Sequence, residues 1–167
     1  MVRDTILFGD CRETLKEFDG KARTCVTSPP YYGLRDYGGE ESQIGQEQTP
    51  EEYIQNLVEV FRSVRDVLTD DGTLWVNIGD SYYNYRPGKG QALPKQTVSK
   101  TKQDLPDKCA KRGNKLEGLK EKDLIGIPWM LAFALRADGW YLRQDIIWHK
   151  PNPMPESVKD RCTKSHE

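Results

Sequence analysis

Closely spaced cysteine and histidine residues are absent from this sequence. The four cysteines are scattered along the chain and form no Cys-x-x-Cys pair, and the only histidines are His149 and His166. A structural zinc site usually draws its ligands from closely spaced Cys and His residues, so no metal site is expected. The cysteines are interpreted as reduced thiols of a cytosolic protein.

Long apolar runs are also missing. No stretch approaches the roughly 20 apolar residues that a membrane-spanning helix needs, and the opening Met-Val-Arg-Asp does not begin an apolar signal segment. Hydrophobic residues make up 36% of the 167 positions and charged residues 31%. This composition is typical of a polar globular chain that forms one domain, and we expect it in the cytoplasm.

Charge of one sign is not in excess, because the net charge is −1. The charged residues are nevertheless unevenly distributed along the chain. Acids dominate residues 36–71, whereas residues 83–118 hold nine Lys or Arg against three acids. This asymmetry hints at nucleic-acid contact, although a run of charge is usually a solvated face. Pro and Gly breaks predict that residues 83–118 form a long basic loop inserted within the domain.

The apolar pattern predicts alternating strands and helices. Thr49 can cap a helix, Pro50 suits the first helical position, and Glu52 completes a capping box. Apolar residues then recur at helical spacing as far as Leu68. A strand before this helix and a strand after it imply a parallel pair with a right-handed crossover, and therefore an α/β fold. The predicted strands cover 5–8, 24–26, 73–78 and 140–148, and the other predicted helices cover 12–18 and 127–137.

The segment Thr27–Gly33 reads Thr-Ser-Pro-Pro-Tyr-Tyr-Gly and follows the predicted strand 24–26. Pro29 and Pro30 each fix φ at about −65° and lack an N–H, so this turn is rigid and presents carbonyl acceptors. Ligands of open α/β sheets bind at the carboxyl ends of strands. The turn is therefore a predicted ligand site.

Ser28–Tyr31, coming after a strand, resembles the catalytic motif of amino-group DNA methyltransferases in their circularly permuted, beta-class arrangement. Phe8–Cys11, Gly72–Asn77, Asp123–Trp129 and Asp145–Ser157 are similar to further segments of the same family. The resemblance implies a bacterial or phage-encoded enzyme of a restriction–modification system. It also implies a Rossmann-like domain and S-adenosylmethionine as the methyl donor.

One feature of the family has no equivalent in this sequence, the Gly-rich loop that holds the methyl donor. Gly88–Gly90 follows no predicted strand, and Gly38–Gly39 lies among acids. Residues 1–167 are therefore interpreted as the catalytic half of a class I methyltransferase domain, truncated at the C-terminus. The expected fold is a partial Rossmann-like one, a mostly parallel sheet with flanking helices that lacks the donor-binding strands.

The resemblance implies a role for each residue of the turn. Ser28 Oγ and the Pro29 carbonyl are expected to accept hydrogen bonds from the target amino group, with Pro30 completing the rigid catalytic turn. Tyr31 is expected to stack on a base flipped out of the duplex. Tyr32 is predicted to be a wall of the same pocket. For both tyrosines, core packing under the turn is the alternative.

Four residues outside this motif are also predicted to bind ligands. Asp10 and Thr27 are expected to bind S-adenosylmethionine, with Asp10 accepting from the adenine amino group of the donor. A helix N-cap explains Asp10 nearly as well. Lys150 and Asn152 are predicted to touch phosphate or to line the pocket of the flipped base, whereas Asp80 is interpreted as structural.

The residue before Pro-Pro favours one target. In the family, Ser there goes mostly with N4 of cytosine, whereas Asp or Asn goes with N6 of adenine. Methylation of cytosine N4 in duplex DNA is therefore predicted, with adenine N6 as the alternative. A cognate restriction endonuclease is an expected partner, and the basic loop is expected to contact DNA phosphates.

Two other hypotheses remain. The chain could be an inactive fragment that binds only DNA or a complementary donor-binding chain. It could also methylate RNA or a protein amide, although the similarity through Met154–Ser157 argues against this.

Overall fold

The computed structural model describes residues 4–34, 43–83, 116–153, 155 and 158–167. The elements, in chain order, are α1 Cys11–Thr14, β1 Ala22–Thr27, α2 Pro50–Val67, β2 Leu68–Val76 and α3 Ile127–Ala137. Nearly all of the predicted basic loop 83–118 lies outside the described residues, as do parts of the segments similar to the family at 154 and 156–157.

β1 and β2 form a parallel pair connected through α2, as the sequence predicts. Thr24 lies beside Thr73 and Thr27 beside Val76. The register shifts between the pair Ala22–Leu68 and the pair Thr24–Thr73, so the ladder is irregular over residues 69–72. Asp70, Asp71 and Gly72 therefore lie inside β2, at its irregular part. Since the strands are parallel, both carboxyl ends lie at the same edge of the sheet.

The start of α2 is the one that the sequence predicts. Thr49 is the N-cap, and its Oγ accepts from the Glu52 N–H at 3.2 Å. Glu52 in turn accepts from the Gln48 N–H at 3.1 Å, one residue earlier than in the standard capping box. These bonds satisfy amide donors that the first turn of a helix leaves without partners.

The core lies between α2 and α3. Tyr53, Leu57 and Phe61 of α2 are buried against Ile127 and Leu131 of α3. Burying one such leucine stabilises the fold by roughly 1.5–3 kcal/mol. Beyond α3, Asp138 accepts from the guanidinium groups of two arginines of α2, which ties the helix ends together.

Two predicted strands are wrong. Residues 5–8 and 140–148 form no strand, and Ile6, Phe8 and Tyr141 are 77%, 88% and 87% exposed. A strand persists through hydrogen bonds to a neighbouring strand. In the described part of the chain these residues form no ladder, and Trp148 pairs only beside an isolated bridge. The α/β class is confirmed, but with a sheet of only two strands among the described residues. Within these residues, no helix is long and apolar enough to cross a membrane.

Candidate active site at the carboxyl ends of the strands

The Pro-Pro turn begins where β1 ends and is anchored to the core. The Thr27 carbonyl accepts from the Asn77 N–H at 2.9 Å, which extends the pairing of β1 with the chain after β2. Tyr53, fully buried on α2, donates its phenolic hydroxyl to the Pro30 carbonyl at 2.7 Å. Burial raises the pKa of Tyr53, so the phenol stays protonated and remains a donor. The turn therefore has a fixed position relative to α2.

Tyr32 lies beneath the turn, against the core. Its ring centroid is 5.5 Å from that of Tyr53, and its carbonyl accepts from Ser81 Oγ at 3.1 Å. Burial raises the pKa of Tyr32 to about 12, and Glu51 and Glu47 add to the rise. The tyrosine therefore supports the turn from below, and its role as a pocket wall stays a prediction.

Ser28 and Tyr31 lie together on the other side of the turn. Ser28 is exposed, and its Oγ is 3.5 Å from Tyr31 Oη. The ring of Tyr31 packs so closely on Gly79 that a Cβ there would lie 2.9 Å from Cε2. Among the described residues, none donates a hydrogen bond to the Pro29 carbonyl. The turn thus combines an exposed hydroxyl, a carbonyl to which no described residue donates, and a firmly held aromatic ring.

The carboxylate of Glu167 connects this turn to two other segments. It accepts from Tyr31 Oη at 2.9 Å and from Asn77 Nδ2 at 3.3 Å, and it forms an ion pair with Lys150. Burial acts to raise the pKa of Glu167, but hydrogen bonds from Lys150 and Tyr31 outweigh it and lower that pKa. Glu167 is therefore an ionised, mostly buried acceptor.

Backbone pairing places Glu167 at this position. The Trp148 N–H donates to the Glu167 carbonyl at 2.7 Å, and the Glu167 N–H donates back to Trp148 at 3.0 Å. The Lys150 N–H also donates to Ser165 at 2.8 Å. These bonds form an antiparallel bridge centred on His149 and His166. The bridge brings the end of the chain beside the carboxyl ends of both strands.

Lys150 and Asn152 differ in their surroundings. Lys150 reaches the turn indirectly, through its ion pair with Glu167. Asn152 is exposed in the loop that follows. The structure therefore brings Tyr31 and Lys150 together on one carboxylate. Ser28 is connected to that carboxylate only through Tyr31, and Asn152 lies outside this group of contacts.

Asp10 occupies a helix cap. Its carboxylate accepts from the Arg12 N–H at 2.8 Å and binds the Arg12 guanidinium at 2.5 Å. The side-chain hydrogen bond from Arg12 lowers the pKa of Asp10 to about 2. Since the carboxylate already has these partners, the N-cap interpretation holds. Asp10 and Thr27 do not by themselves form a site that fits the methyl donor, and donor binding by both residues stays a prediction.

Asp80 is structural, as the sequence analysis expects. Its Oδ1 accepts from the Gly126 N–H at 2.9 Å and from the Ile127 N–H at 3.0 Å, and it also accepts from Ser81. Gly126 has no side chain with which to cap α3. Asp80 supplies that cap from the segment after β2, so it fixes α3 against the edge where the site lies.

The geometry agrees with a comparison of the sequence with known families. A family profile of the N6/N4 type, described as DNA methylase, matches residues 22–167, which is most of the chain. The chain belongs to the N6/N4 DNA methylase family. No solved structure matches this methylase chain at a significant level.

Relatives of this methylase chain are Type II methyltransferases. It is 53% identical to M.Cfr9I of Citrobacter freundii, over 98% of this chain and 52% of that protein. It is 52% identical to M.SmaI of Serratia marcescens, over 97% of this chain and 53% of that protein. The similarity to M.XycI of Xanthomonas campestris pv. cyanopsidis is also 52%, over the whole chain and 53% of that protein. The chain thus spans about half the length of these relatives.

Sequence reasoning missed the contribution of Glu167 to this group of contacts at the turn. The Ser-His-Glu sequence at 165–167 resembles the beginning of a strand, and no motif marks the carboxylate. Its contacts come from residues 17, 90 and 136 positions away. Only the three-dimensional pairing of residues 148–150 with 165–167 reveals it.

Proposed function

We propose that this chain handles the target base in an S-adenosylmethionine-dependent DNA methyltransferase that modifies N4 of cytosine in duplex DNA. The observation that carries the proposal is the turn itself. Ser28 is exposed beside a held Tyr31, and no described residue donates to the Pro29 carbonyl. Membership of the DNA methylase family supports the reaction class.

The turn suits the chemistry of an exocyclic amino group. Such a nitrogen is a poor nucleophile, because its lone pair is delocalised into the ring. Ser28 Oγ and the Pro29 carbonyl would accept hydrogen bonds from its two N–H groups and orient the nitrogen toward the methyl group of the donor. The N–C bond would form as the S–C bond of the donor breaks, with S-adenosylhomocysteine as the leaving group and one amino proton released to water. As positive charge develops on the nitrogen, these acceptors stabilise it. This is catalysis by positioning and electrostatics, with no covalent intermediate on the protein.

Tyr31 supports the base once it has left the duplex. An amino group inside a base pair is out of reach, so the nucleotide is flipped into a pocket and stacked on an aromatic ring. The contact with Gly79 and the bond to Glu167 hold the ring of Tyr31 at the mouth of the turn. A fixed ring loses little conformational entropy when a base stacks on it.

The choice of the methylated atom in this proposal depends on Ser28. A hydroxyl is a weaker acceptor than a carboxylate, which does not by itself select a base. Cytosine N4 is favoured because Ser before Pro-Pro goes mostly with that target in the family. Adenine N6 is the alternative product.

S-adenosylmethionine supplies the methyl group in this proposal. The curated relatives are about twice as long as this chain, and the carboxylate of Asp10 is engaged by Arg12. These two observations favour a second candidate function for the chain taken alone. In that case it binds DNA, or a complementary donor-binding chain, without transferring methyl groups. In a restriction–modification system, the partner activity is an endonuclease that cleaves the same DNA site.

The test uses the full-length protein and this chain side by side. Each is incubated with duplex DNA and methyl-labelled S-adenosylmethionine, and the digested nucleosides are separated. Label in 4-methylcytosine supports the proposal, whereas label in 6-methyladenine supports the alternative target. Transfer by the full-length protein alone would show that residues 1–167 do not suffice.

Ser28→Ala tests the assignment of the acceptor. Ser63→Ala is the matched control, because Ser63 lies on α2 and, among the described residues, its Oγ donates only to the Glu59 carbonyl of the same helix, at 3.5 Å. We expect Ser28→Ala to lower transfer and Ser63→Ala to leave it unchanged. Undiminished transfer by Ser28→Ala contradicts the catalytic assignment.

A further inference from the structure

We propose that Glu167 is a positioning residue for methyl transfer, because it sets the direction of the hydrogen bonds that run from Ser28 through Tyr31. This inference rests on the proposed function of Ser28 as the acceptor of the target amino group. It addresses a weakness of that proposal, since a serine hydroxyl can donate as well as accept.

The argument starts from the ionised carboxylate. An ionised carboxylate has acceptors and no donor, so Tyr31 must donate its one hydroxyl hydrogen along the 2.9 Å contact to Glu167. Toward Ser28, 3.5 Å away, Tyr31 Oη can then only accept. The Ser28 hydroxyl hydrogen is thereby directed to Tyr31. Because Ser28 is exposed, the remaining lone pairs of its Oγ are then available to the amino group of a base.

Glu167 directs the hydrogen bonds from Ser28 to Tyr31, and from Tyr31 to itself, only while its carboxylate is ionised. The side chain is 18% exposed, and an unpaired carboxylate at such a place would tend to take up a proton. Lys150, Tyr31 and Asn77 all donate to it, and together they lower its pKa against the effect of burial, with Lys150 as the largest of the three. Lys150 therefore contributes to the direction of the chain of hydrogen bonds without touching Ser28.

A purely structural role for Glu167 makes a different prediction. A carboxylate that merely fastens the ring of Tyr31 would change folding or DNA affinity when altered. A carboxylate that directs hydrogen bonds would change the rate of transfer and the titration of Tyr31, with the bound complex intact.

The first experiment compares Glu167→Gln and Tyr31→Phe in the full-length protein. A glutamine amide can donate to Tyr31, which permits the reverse direction, and Tyr31→Phe keeps the ring but removes the hydroxyl. For each variant we expect single-turnover methyl transfer at saturating DNA to fall about tenfold, the range for loss of a hydrogen bond to a charged group. The dissociation constant for DNA should not change. The double variant should be no slower than Tyr31→Phe alone, because both changes interrupt the same chain of bonds.

Glu59→Gln is the matched control. Glu59 lies on α2, and within the part of the chain that the structure describes its carboxylate accepts only from Gln55 of the same helix, at 3.5 Å. The same loss of charge at this position should leave the transfer rate at the wild-type value.

The second experiment needs no enzymatic activity. Burial raises the pKa of Tyr31, and the bond to Glu167 adds to the rise. Tyrosines carrying a carbon-13 label at Cζ are titrated by NMR, with the Tyr31 signal assigned by its loss in Tyr31→Phe. We expect Glu167→Gln to lower the pKa of Tyr31 and Glu59→Gln to leave it unchanged.

The outcomes separate this inference from the proposed function. A wild-type rate for Tyr31→Phe or Glu167→Gln, with Ser28→Ala impaired, overturns the role of Glu167 and leaves the role of Ser28 intact. Additive losses in the double variant also overturn it. If Glu167→Gln does not fold, as judged by circular dichroism, Tyr31→Phe alone decides, since it leaves the carboxylate in place. A wild-type rate for Ser28→Ala removes the Ser28 assignment and this inference together.

Discussion

The phenolic hydroxyl of Tyr53, on the buried face of α2, donates a 2.7 Å hydrogen bond to the carbonyl of Pro30 in the Pro-Pro turn. One side chain thus connects the core of the protein to the residues that we assign to the chemistry.

Tyr53→Phe should loosen the turn while keeping the core filled. Removing the hydroxyl leaves the Pro30 carbonyl without its buried donor, which costs about 1–3 kcal/mol. We expect a lower free energy of unfolding in urea and slower methyl transfer by the full-length protein. Tyr141→Phe, at a ring that is almost fully exposed, is the control and should change neither quantity. A variant with reduced stability but normal transfer would show that the anchor serves folding alone.

Gly79→Ala should displace the ring of Tyr31. The added Cβ would lie 2.9 Å from Tyr31 Cε2, closer than real contacts allow, whereas the backbone of Gly79 itself needs no left-handed conformation. We expect a loss of methyl transfer larger than the loss of stability, measured by single-turnover assay and thermal unfolding. Gly20→Ala is the control, because its Cβ would meet only the end of the Phe18 ring, at 3.1 Å. Equal rates for both variants would contradict the placement of Tyr31.

Asp80→Ala should destabilise the packing of α3. It removes the carboxylate that accepts from Gly126 and Ile127, at a helix start that has no cap of its own. The expected cost is about 1 kcal/mol, within the range for N-cap deletions. Asp80→Asn keeps one acceptor oxygen and should lose less stability. Urea denaturation of the three proteins checks this order, and a cost for Asp80→Asn equal to that for Asp80→Ala would refute the cap.

Asp10 should titrate at an unusually low pH. The side-chain hydrogen bond from Arg12 lowers its pKa to about 2, against about 3.9 in an unfolded chain. Because the folded pKa is the lower one, the contribution of Asp10 to stability is complete above about pH 4 and disappears as the pH falls through about 2. The NMR titration of the Asp10 carboxyl group measures the midpoint directly.

Arg12→Gln tests the cause of that shift. It should raise the pKa of Asp10 toward the ordinary value, although the backbone N–H of residue 12 still donates to the carboxylate. Lys16→Gln removes the same charge from a residue with a minor influence on Asp10. It should move the midpoint much less, and equal shifts in the two variants would exclude the hydrogen bond as the main cause.

Sequence patterns predict those parts of the structure that depend on near neighbours. The start of α2 can be predicted from the sequence because Thr49, Pro50 and Glu52 act within one turn of helix. The turn at Ser28 can be predicted because each proline restricts its own backbone dihedral angle φ. The segment 140–148 has a strand-like composition, yet a strand depends on hydrogen bonds from residues far along the chain, and its own sequence does not specify them.

The candidate site shows the same division. Ser28, Pro29 and Tyr31 belong to one short motif, so the sequence identifies them together. Glu167 belongs to the candidate site because its carboxylate accepts from donors in three separate segments. No local sequence pattern predicts that these segments come together in the fold.

The hydrogen bond between Tyr31 and Glu167 also has a consequence for the growing polypeptide. Its two residues are 136 positions apart. At typical rates of translation, a ribosome adds that many residues in on the order of ten seconds. The nascent chain therefore carries its Ser-Pro-Pro-Tyr turn for that long before the carboxylate that completes it has been made.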